Sequence, residues 1–315
     1  MNRGLVILFV FIHAWAVGQG CSDAGFCTMG AMKPDQPFNK NTNVKLRSIE
    51  FSQYYGITHF NNHIWVSTLE ANIGLGDKYI VQAKIPYLIS SGHLGTYQSL
   101  SDISLSVTKN IVRTDELDIN VTVGTKIPSN NGDQQQYQGR SLPMYYQTSL
   151  GTHDLILGAS IITRKWLIAV GYQQALDRNQ NGFWWGEWRK EDPADTSYIL
   201  RYAQSNNLQR GKDIMIRVER DFRFSRFNAS IGLLPIYRIN RDDIQVPSLI
   251  NNSLTPKISS GSDGLALSGI YTLGYHFNVN SSIKLLVGNR FIQREKNPDG
   301  LSREFVTSLT YSYRF

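Results

Sequence analysis

The stretch LDINVTVGTKI, residues 117–127, alternates apolar and polar side chains with a period of two. Leucine, isoleucine and valine fall on one side of an extended chain, and aspartate, asparagine, threonine and lysine fall on the other. A period of two is typical of a β-strand with one apolar and one polar face. The same pattern recurs in residues 99–112, 226–239 and 264–278. The chain is therefore predicted to be an all-β protein.

Counting such runs predicts about twelve strands of roughly 10–15 residues each. These strands are longer than the usual strand of about 5–6 residues. They match the length of about 9–11 residues that crosses a membrane at a tilt. The predicted strands lie near residues 43–56, 62–74, 78–89, 99–112, 116–128, 147–161, 164–176, 211–222, 226–239, 264–278, 281–294 and 303–315.

The connections between these strands alternate between short and long. Turns such as LGD, RTD and VNS alternate with longer segments at 129–146, 177–210 and 240–263. This alternation indicates an up-and-down antiparallel barrel with tight periplasmic turns and long external loops. A soluble sandwich or lipocalin-like barrel is the alternative. A barrel of about twelve strands is too wide for its side chains to fill, which favours an apolar face turned outward to lipid.

The first twenty residues have the pattern of a secretory signal. Arg3 precedes the apolar run LVILFVFIHAWAV (5–17), and small residues follow it. The run is too short for a membrane-spanning helix, which needs about 20 residues. We therefore predict a signal peptide at 1–20, a periplasmic N-terminal segment or plug at 21–42, and a transmembrane barrel at 43–315.

Both cysteines lie just after the predicted cleavage point, in CSDAGFC. A chain exported to an oxidising compartment is expected to join Cys21 and Cys27 in a disulfide. Lipidation of Cys21 is a second interpretation. A metal site is a weaker one, because no further cysteine or nearby histidine completes a ligand set.

The segment TSLTYSYRF, residues 307–315, is similar to the C-terminal strand signal that the assembly machinery of bacterial outer-membrane barrels reads. Tyr311, Tyr313 and Phe315 share one face of this strand and carry the resemblance. Thr310 departs from it, because such signals often have glycine there. The same aromatic residues would also suit the girdle at a membrane interface.

At the level of the family, the chain resembles the outer-membrane transporter-like barrels related to the "MetA-pathway of phenol degradation" proteins. The resemblance lies in QGCSDAGFCTMGAM (19–32), LQRGKDIMIRVER (208–220) and FSRFNASIGLLPIYRI (224–239). It implies a pore or facilitator for small, often apolar molecules in the bacterial outer membrane. It brings no catalytic residues with it.

Strand parity places a set of charged side chains on the inner face of the barrel. Such a lumen is suited to anions or to polar groups of a solute. The alternative is a set of ion pairs that plugs the lumen. The cations are Lys84, Lys126, Arg217, Arg226, Arg238, Lys284, Arg290 and Arg294, and the acids are Glu70, Asp102, Asp118, Asp213, Glu219 and Asp221.

The longest predicted external loop contains FWWGEW, with Phe183, Trp184, Trp185 and Trp188. These aromatic residues are a candidate platform for an apolar or sugar-like ligand. The alternative is that the loop packs on itself or on the outer leaflet.

The remaining signals argue against an enzyme and against nucleic-acid binding. His153 lies beside Asp154, but parity turns the two side chains to opposite faces, so they form no dyad. The net charge is +7, but lysine and arginine form no run. No cofactor or metal site is predicted.

We therefore expect an outer-membrane channel or facilitator for passive transport of small apolar or anionic solutes. Its expected partners are outer-membrane lipid, the barrel assembly machinery and the solute itself. An outer-membrane lipid hydrolase and a structural or adhesive surface barrel are the alternatives. The oligomeric state is not predicted.

Overall fold

The structure, a computed structural model, describes residues 29–33, 44–136, 139–188, 197–248 and 253–315. The regular secondary structure of the described part is almost entirely β-strand. The strands are β1 (Lys45–Ile57), β2 (His63–Leu75), β3 (Tyr79–Gly92), β4 (Gly95–Leu100), β5 (Ile103–Arg113), β6 (Leu117–Ile127), β7 (Asp154–Thr163), β8 (Trp166–Ala175), β9 (Asp213–Phe224), β10 (Phe227–Arg238), β11 (Asp243–Pro247), β12 (Leu254–Ile258), β13 (Gly264–His276), β14 (Ser281–Ile292) and β15 (Phe305–Arg314).

Thirteen of these strands form one antiparallel sheet that closes on itself. Strand β1 pairs with both β2 and β15, and β2 pairs with β3, so the wall closes into a ring. Strands β4 and β5 both pair with β3 and together form one wall segment. The result is a closed twelve-stranded barrel, which confirms the predicted fold class. Strands β11 and β12 form a separate hairpin in the connection between β10 and β13.

The faces of the barrel are the reverse of those of a soluble protein. In β6, the Thr122 side chain points inward and is 2% exposed, whereas the neighbouring Val123 points outward and is 58% exposed. The same alternation runs through the other wall strands, which leaves leucine, isoleucine, valine and aromatic side chains on the outer surface. A lipid bilayer covers such a surface, and closure of the sheet leaves no backbone group unpaired in it.

The two ends of the barrel differ. One end, the short-turn end, has tight connections such as 114–116, 164–165 and 225–226. The opposite end, the long-loop end, carries the connections 128–153 and 176–212, along with those between β10 and β13 and between β14 and β15. This asymmetry agrees with the alternation of connection lengths in the sequence.

One strand boundary differs clearly from the sequence expectation. The pattern predicts a strand at 147–161, whereas β7 begins at Asp154. Residues 141–150 are buried and fold over the opening of the barrel instead, through a 3-10 turn at Met144–Tyr146 that follows Pro143.

Helix is scarce in the described chain. It consists of α1 (Trp185–Trp188) and the 3-10 turns at Gly30–Met32 and Met144–Tyr146, besides a short turn near residue 198. No helix among the described residues is long and apolar enough to cross a membrane.

Candidate functional site

A short N-terminal segment, Met29–Lys33, lies inside the barrel. Its 3-10 turn buries Met29 and Met32 against inward-pointing apolar side chains of five strands. Its backbone is bound on another side, where Gly30 N donates to Gln82 Oε1 at 2.9 Å and Ala31 N donates to Thr122 Oγ1 at 2.6 Å. The apolar side chains around the two methionines are Ile156, Ala169, Met215, Leu234 and Ile270.

Gly30 is required for this turn. Its φ of +53° is in the left-handed region, which is costly for residues with a side chain. A Cβ at this position would lie 2.2 Å from Thr122 Cγ2. Both the backbone conformation and the close contact with β6 therefore favour glycine.

Ion pairs hold the C-terminal end of the segment. Lys33 Nζ lies 2.7 Å from Glu50 Oε2 on β1 and 2.5 Å from Glu70 Oε1 on β2. Lys84 on β3 contacts the other oxygen of Glu70 at 3.3 Å. Because these groups are largely shielded from water, separating Lys33 from the two carboxylates is costly: Glu50 loses its ion pair and Glu70 keeps only Lys84.

A cavity of about 220 Å³ lies between this segment and the loops that fold over the long-loop end. Lys33 and Arg217 line it on the side of the segment, and residues 144 and 147–150 and 299–301 line it on the side of the loops. Its walls come from the inner faces of β1, β2, β3, β14 and β15. The lumen thus contains a space that is bounded by protein at both ends.

A buried ionic cluster fastens the loops to the wall. The Arg238 guanidinium on β10 bonds Asp213 on β9 at 2.7 and 2.8 Å and Asp242 at 2.9 and 3.0 Å. It also donates to Asp299, in the connection between β14 and β15, at 2.7 Å. Although burial opposes ionisation of Asp299, the charges of Arg238 and Arg294 hold its pKa below the ordinary range.

The long loops share an aromatic core. Tyr202 Oη lies 3.3 Å from Tyr146 Oη and 2.8 Å from Tyr198 Oη, and it donates to Asn62 Oδ1 at 3.1 Å. This network joins three different loops at the long-loop end. The buried members of the core are Leu142, Tyr145, Tyr146, Phe183, Trp188, Ile199 and Tyr202.

The FWWGEW aromatic residues belong to this loop core. Phe183 is 0% exposed and Trp188 is 3% exposed. Trp185 is half-buried, and its Nε1 donates to Tyr202 O at 2.9 Å. Trp184 packs beside Gly186, where an added Cβ would meet its ring at 1.9 Å. The loop therefore packs on itself, as the alternative interpretation expects, and Phe183 and Trp188 present no open platform.

Most of the charged residues that parity assigned to the lumen do lie on the inner face. Lys284 is half-buried and lines the cavity, whereas Asp118 is near the short-turn end and pairs with Arg113 at 3.3 Å. The fully inward and buried members are Lys84, Lys126, Arg217, Arg238, Arg290, Arg294, Glu70, Asp102, Asp213 and Glu219.

Arg226 is a correction to the parity assignment. It lies in the two-residue turn between β9 and β10, where it is exposed. The alternation continues through FRFSRF in the sequence, but the strand ends at Phe224, so the inner-face assignment fails there. Asp221, near the end of β9, is half-exposed.

Two other sets of predicted residues have different outcomes. Tyr311, Tyr313 and Phe315 are exposed on the outer face of β15 and at its end. Cys21 and Cys27 lie outside the described residues, so their disulfide remains a prediction.

Sequence reasoning missed the apolar part of the inner wall. Ile156, Met215, Leu234 and Ile270 point inward, although the inner face was expected to be polar. The available signal was a run of apolar residues on both faces, as in LIL (155–157) and LL (233–234). Such runs indicate a strand that is apolar on both sides.

His153 lies at the long-loop end and pairs with Asp177. Its Nδ1 is 2.7 Å from Asp177 Oδ2, and its backbone N donates to Asp177 Oδ1 at 2.7 Å. Asp154 faces the other way and pairs with Arg210. Within the described chain, no hydroxyl group is bonded to the His153 ring, and no cluster of three metal-ligating side chains occurs.

No family model matches the chain, and no curated protein matches it either. Among solved structures, the chain is similar to the COG4313 outer membrane channel from Pseudomonas putida F1, with a TM-score of 0.56 and 11% identity over 90% of this chain and 99% of that chain. The NanC porin has a TM-score of 0.45 and 12% identity, over 86% of this chain and 99% of that chain. The Escherichia coli outer membrane phospholipase A has a TM-score of 0.38 and 9% identity, over 86% of this chain and 98% of that chain. The last two share only the general barrel architecture with this chain. The resemblance to the phenol-degradation family stays a hypothesis, and the barrel has the fold of a bacterial outer-membrane channel.

Proposed function

We propose that the protein is an outer-membrane channel for passive uptake of small solutes. The observation that carries this proposal is the short segment Met29–Lys33 inside a closed barrel, with a cavity on its long-loop side. The segment belongs to no wall strand, so it can leave the lumen without breaking the sheet. The outward apolar face places the barrel axis across the membrane.

The proposed path runs along the barrel axis. A solute enters at the long-loop end, reaches the cavity, and then passes the position of residues 29–33. This segment obstructs the path, so transport requires it to move. Ligands and fluctuations act on such a two-state element by changing its populations.

The interactions that hold the segment are of a size that permits opening. Burial of each methionine side chain is worth about 1.5–3 kcal/mol. The Lys33 ion pairs add to this, but the charges also lose hydration when they are buried. A closed state favoured by a few kcal/mol would open transiently, which suits a facilitator with low resting flux.

The open lumen would offer two kinds of wall. Departure of Met29 and Met32 uncovers Met215, Leu234 and Ile270, whereas Glu70 and Lys84 remain on the opposite side. Because an apolar strip lies beside charged groups, the open lumen could contact apolar solutes on one side and anionic solutes on the other. Apolar or anionic solutes are therefore the proposed cargo.

Uptake by liposomes tests this function. Purified full-length protein is reconstituted, and entry of a neutral sugar, a small carboxylate and a small apolar alcohol is compared with entry into protein-free liposomes. We expect the carboxylate to enter faster with protein present. Uptake equal to that of protein-free liposomes for every solute, together with no conductance in planar bilayers, would end the proposal.

A further inference from the structure

The acidic residues that line the lumen cavity all have partners in the protein. Five cationic and four acidic residues line this cavity. Glu50 and Glu70 pair with Lys33, and Asp299 pairs with Arg238. Asp102 accepts hydrogen bonds from Ser149 Oγ at 2.5 Å and Leu150 N at 3.1 Å. The four acids are therefore not available to a bound cation.

Two cations of the same lining have no carboxylate partner among the described residues. They are Lys284 on β14 and Arg303, just before β15. Arg303 is 6% exposed, and its Nη1 donates to the carbonyl oxygens of Gly300 at 2.6 Å and Ser302 at 3.1 Å. Its Nε has no acceptor in the described part of the protein. A buried charge without a counter-ion is costly, so the site favours an anion.

A third polar group lies beside Arg303. The position that a Cβ on Gly56 would take is 2.7 Å from Tyr54 Oη and 3.2 Å from Arg303 Cδ. The Tyr54 hydroxyl is buried and lies close enough to the Arg303 guanidinium to interact with it, and it has no hydrogen bond of good geometry to any described residue. A hydroxyl that can donate and a guanidinium are thus adjacent on one side of the cavity.

Lys284 lines the same cavity farther along the wall. It is opposite Thr310 in the sheet, and Thr310 is opposite Ser52 on β1. Two strand spacings therefore separate Lys284 from Ser52 by about 10 Å, and two positions along β1 from Ser52 to Tyr54 add about 7 Å. Lys284 is thus a second cation of the lining that does not contact the group formed by Arg303 and Tyr54.

The rest of the cavity wall is largely apolar. Its size of about 220 Å³ exceeds that of an engineered apolar cavity of about 150 Å³ that holds benzene. The space suits a hydrocarbon body a little larger than a benzene ring. The apolar side chains that would contact it include Ile64, Val66, Leu88, Met144, Leu286 and Leu301.

We propose that this cavity binds a small amphipathic carboxylate. The carboxylate group lies against Arg303 and Tyr54, and the hydrocarbon body lies against the apolar wall. Arginine suits this role because its planar guanidinium matches a carboxylate with paired hydrogen bonds. The inference rests on the proposed function in one respect, because the cavity lies on the proposed path of the solute. It adds the class of solute that binds in the cavity.

Equilibrium binding to the full-length protein in detergent tests the site without any measurement of flux. The probes are hexanoate, hexanol and acetate, and binding is measured by isothermal titration calorimetry. Hexanoate is expected to bind more tightly than either control compound, because it alone satisfies both Arg303 and the apolar wall.

Variants locate the binding. Arg303→Gln and Tyr54→Phe are each expected to weaken hexanoate binding, the first by about tenfold or more, the usual effect of losing a charge-assisted hydrogen bond. Arg226→Gln removes the same charge from the exposed turn and is expected to leave binding unchanged. Because Arg303 also bonds two loop carbonyls, Tyr54→Phe, which keeps the ring and removes only the hydroxyl, supplies the decisive result if the Arg303 variant disturbs the loop.

Three results would overturn the proposal. Hexanol binding as tightly as hexanoate would show an apolar site only, and acetate binding as tightly would show a simple anion site. Unchanged hexanoate binding by Tyr54→Phe and Arg303→Gln would place the ligand elsewhere. If hexanoate does not bind, the proposed channel function is still tested separately by solute uptake into liposomes. If no uptake is measured, the hexanoate binding result is unaffected.

Discussion

Arg238 and Asp299 are 61 residues apart in the chain and are joined by a hydrogen-bonded ion pair of 2.7 Å. Arg238 ends the wall strand β10, and Asp299 belongs to the loop that leads into β15. Residues 299–301 of this loop line the cavity on its long-loop side. The ion pair therefore connects the barrel wall to the cover of the cavity.

Replacing Arg238 is expected to loosen that cover. Arg238→Gln leaves the carboxylates of Asp213, Asp242 and Asp299 buried together, and removing one partner of a buried ion pair typically costs about 3–5 kcal/mol. Denaturant unfolding and protease sensitivity of residues 293–304 would measure the effect. A matched control is Arg241→Gln, whose pair with Asp263 is exposed and worth about 0–1 kcal/mol. Equal effects of the two substitutions would contradict this account.

Replacing Lys33 is expected to open the lumen more often. Lys33→Met removes the ion pairs to Glu50 and Glu70 but keeps a long side chain. If those pairs favour the closed state by about 1.4 kcal/mol, the open population rises about tenfold. Single-channel recording in planar bilayers measures this population. The exposed Lys45→Met is the control, and an unchanged opening frequency in the Lys33 variant would contradict the role of the pairs.

The aromatic residues of the longest loop are expected to affect stability more than binding. Phe183 is fully buried, so Phe183→Ala is expected to destabilise the loop core by about 3–5 kcal/mol. Limited proteolysis of the 176–212 connection would detect the loosened loop. Leu200→Ala, at an exposed position nearby, serves as the control. Wild-type protease resistance in the Phe183 variant would show that the loop core does not depend on this ring.

His59, in the loop between β1 and β2, is expected to stay neutral at pH values well below the ordinary pKa of a histidine. Although the side chain is partly exposed, desolvation by the surrounding loops, together with the positive charge of Arg290, lowers the pKa of its imidazole from 6.5 to about 4. A histidine with a lowered folded-state pKa stabilises the fold above pH 6.5, and this contribution is lost as the pH falls through about 4. NMR titration of the labelled ring would give the pKa. His59→Gln should remove this part of the acid sensitivity, and a ring that titrates near 6.5 would contradict the desolvation of this side chain.

The wall of the barrel could be predicted from the sequence because it is governed by a local pattern. Each residue of β6 alternates between lumen and lipid, and the alternation is visible in eleven consecutive residues. The turns are visible for the same reason, since apolar alternation stops at short polar segments. Parity alone does not show where a strand ends, and this is why Arg226 was assigned to the lumen.

The contents of the lumen were harder to predict because they depend on contacts between distant parts of the chain. Asp299 comes from a loop with no periodicity, so nothing in the sequence pairs it with Arg238. Lys33 lies in a segment without a strand pattern, and its partners are on β1 and β2. The apolar inner wall left a weak signal in the runs of apolar residues around Ile156 and Leu234.

A disulfide lock on the N-terminal segment tests most directly whether solutes pass through the lumen after this segment moves. A Cβ on Gly158 would lie 3.3 Å from Met32 Cγ, so Met32→Cys with Gly158→Cys places two thiols within bonding reach in a chain whose Cys21 and Cys27 are replaced by serine. Uptake of a small carboxylate into liposomes is measured before and after reduction, with each single cysteine variant as a control. The account predicts that uptake falls to the protein-free rate in the oxidised double variant and returns on reduction. Equal uptake in the oxidised and reduced forms, with the disulfide shown to be complete, would contradict it.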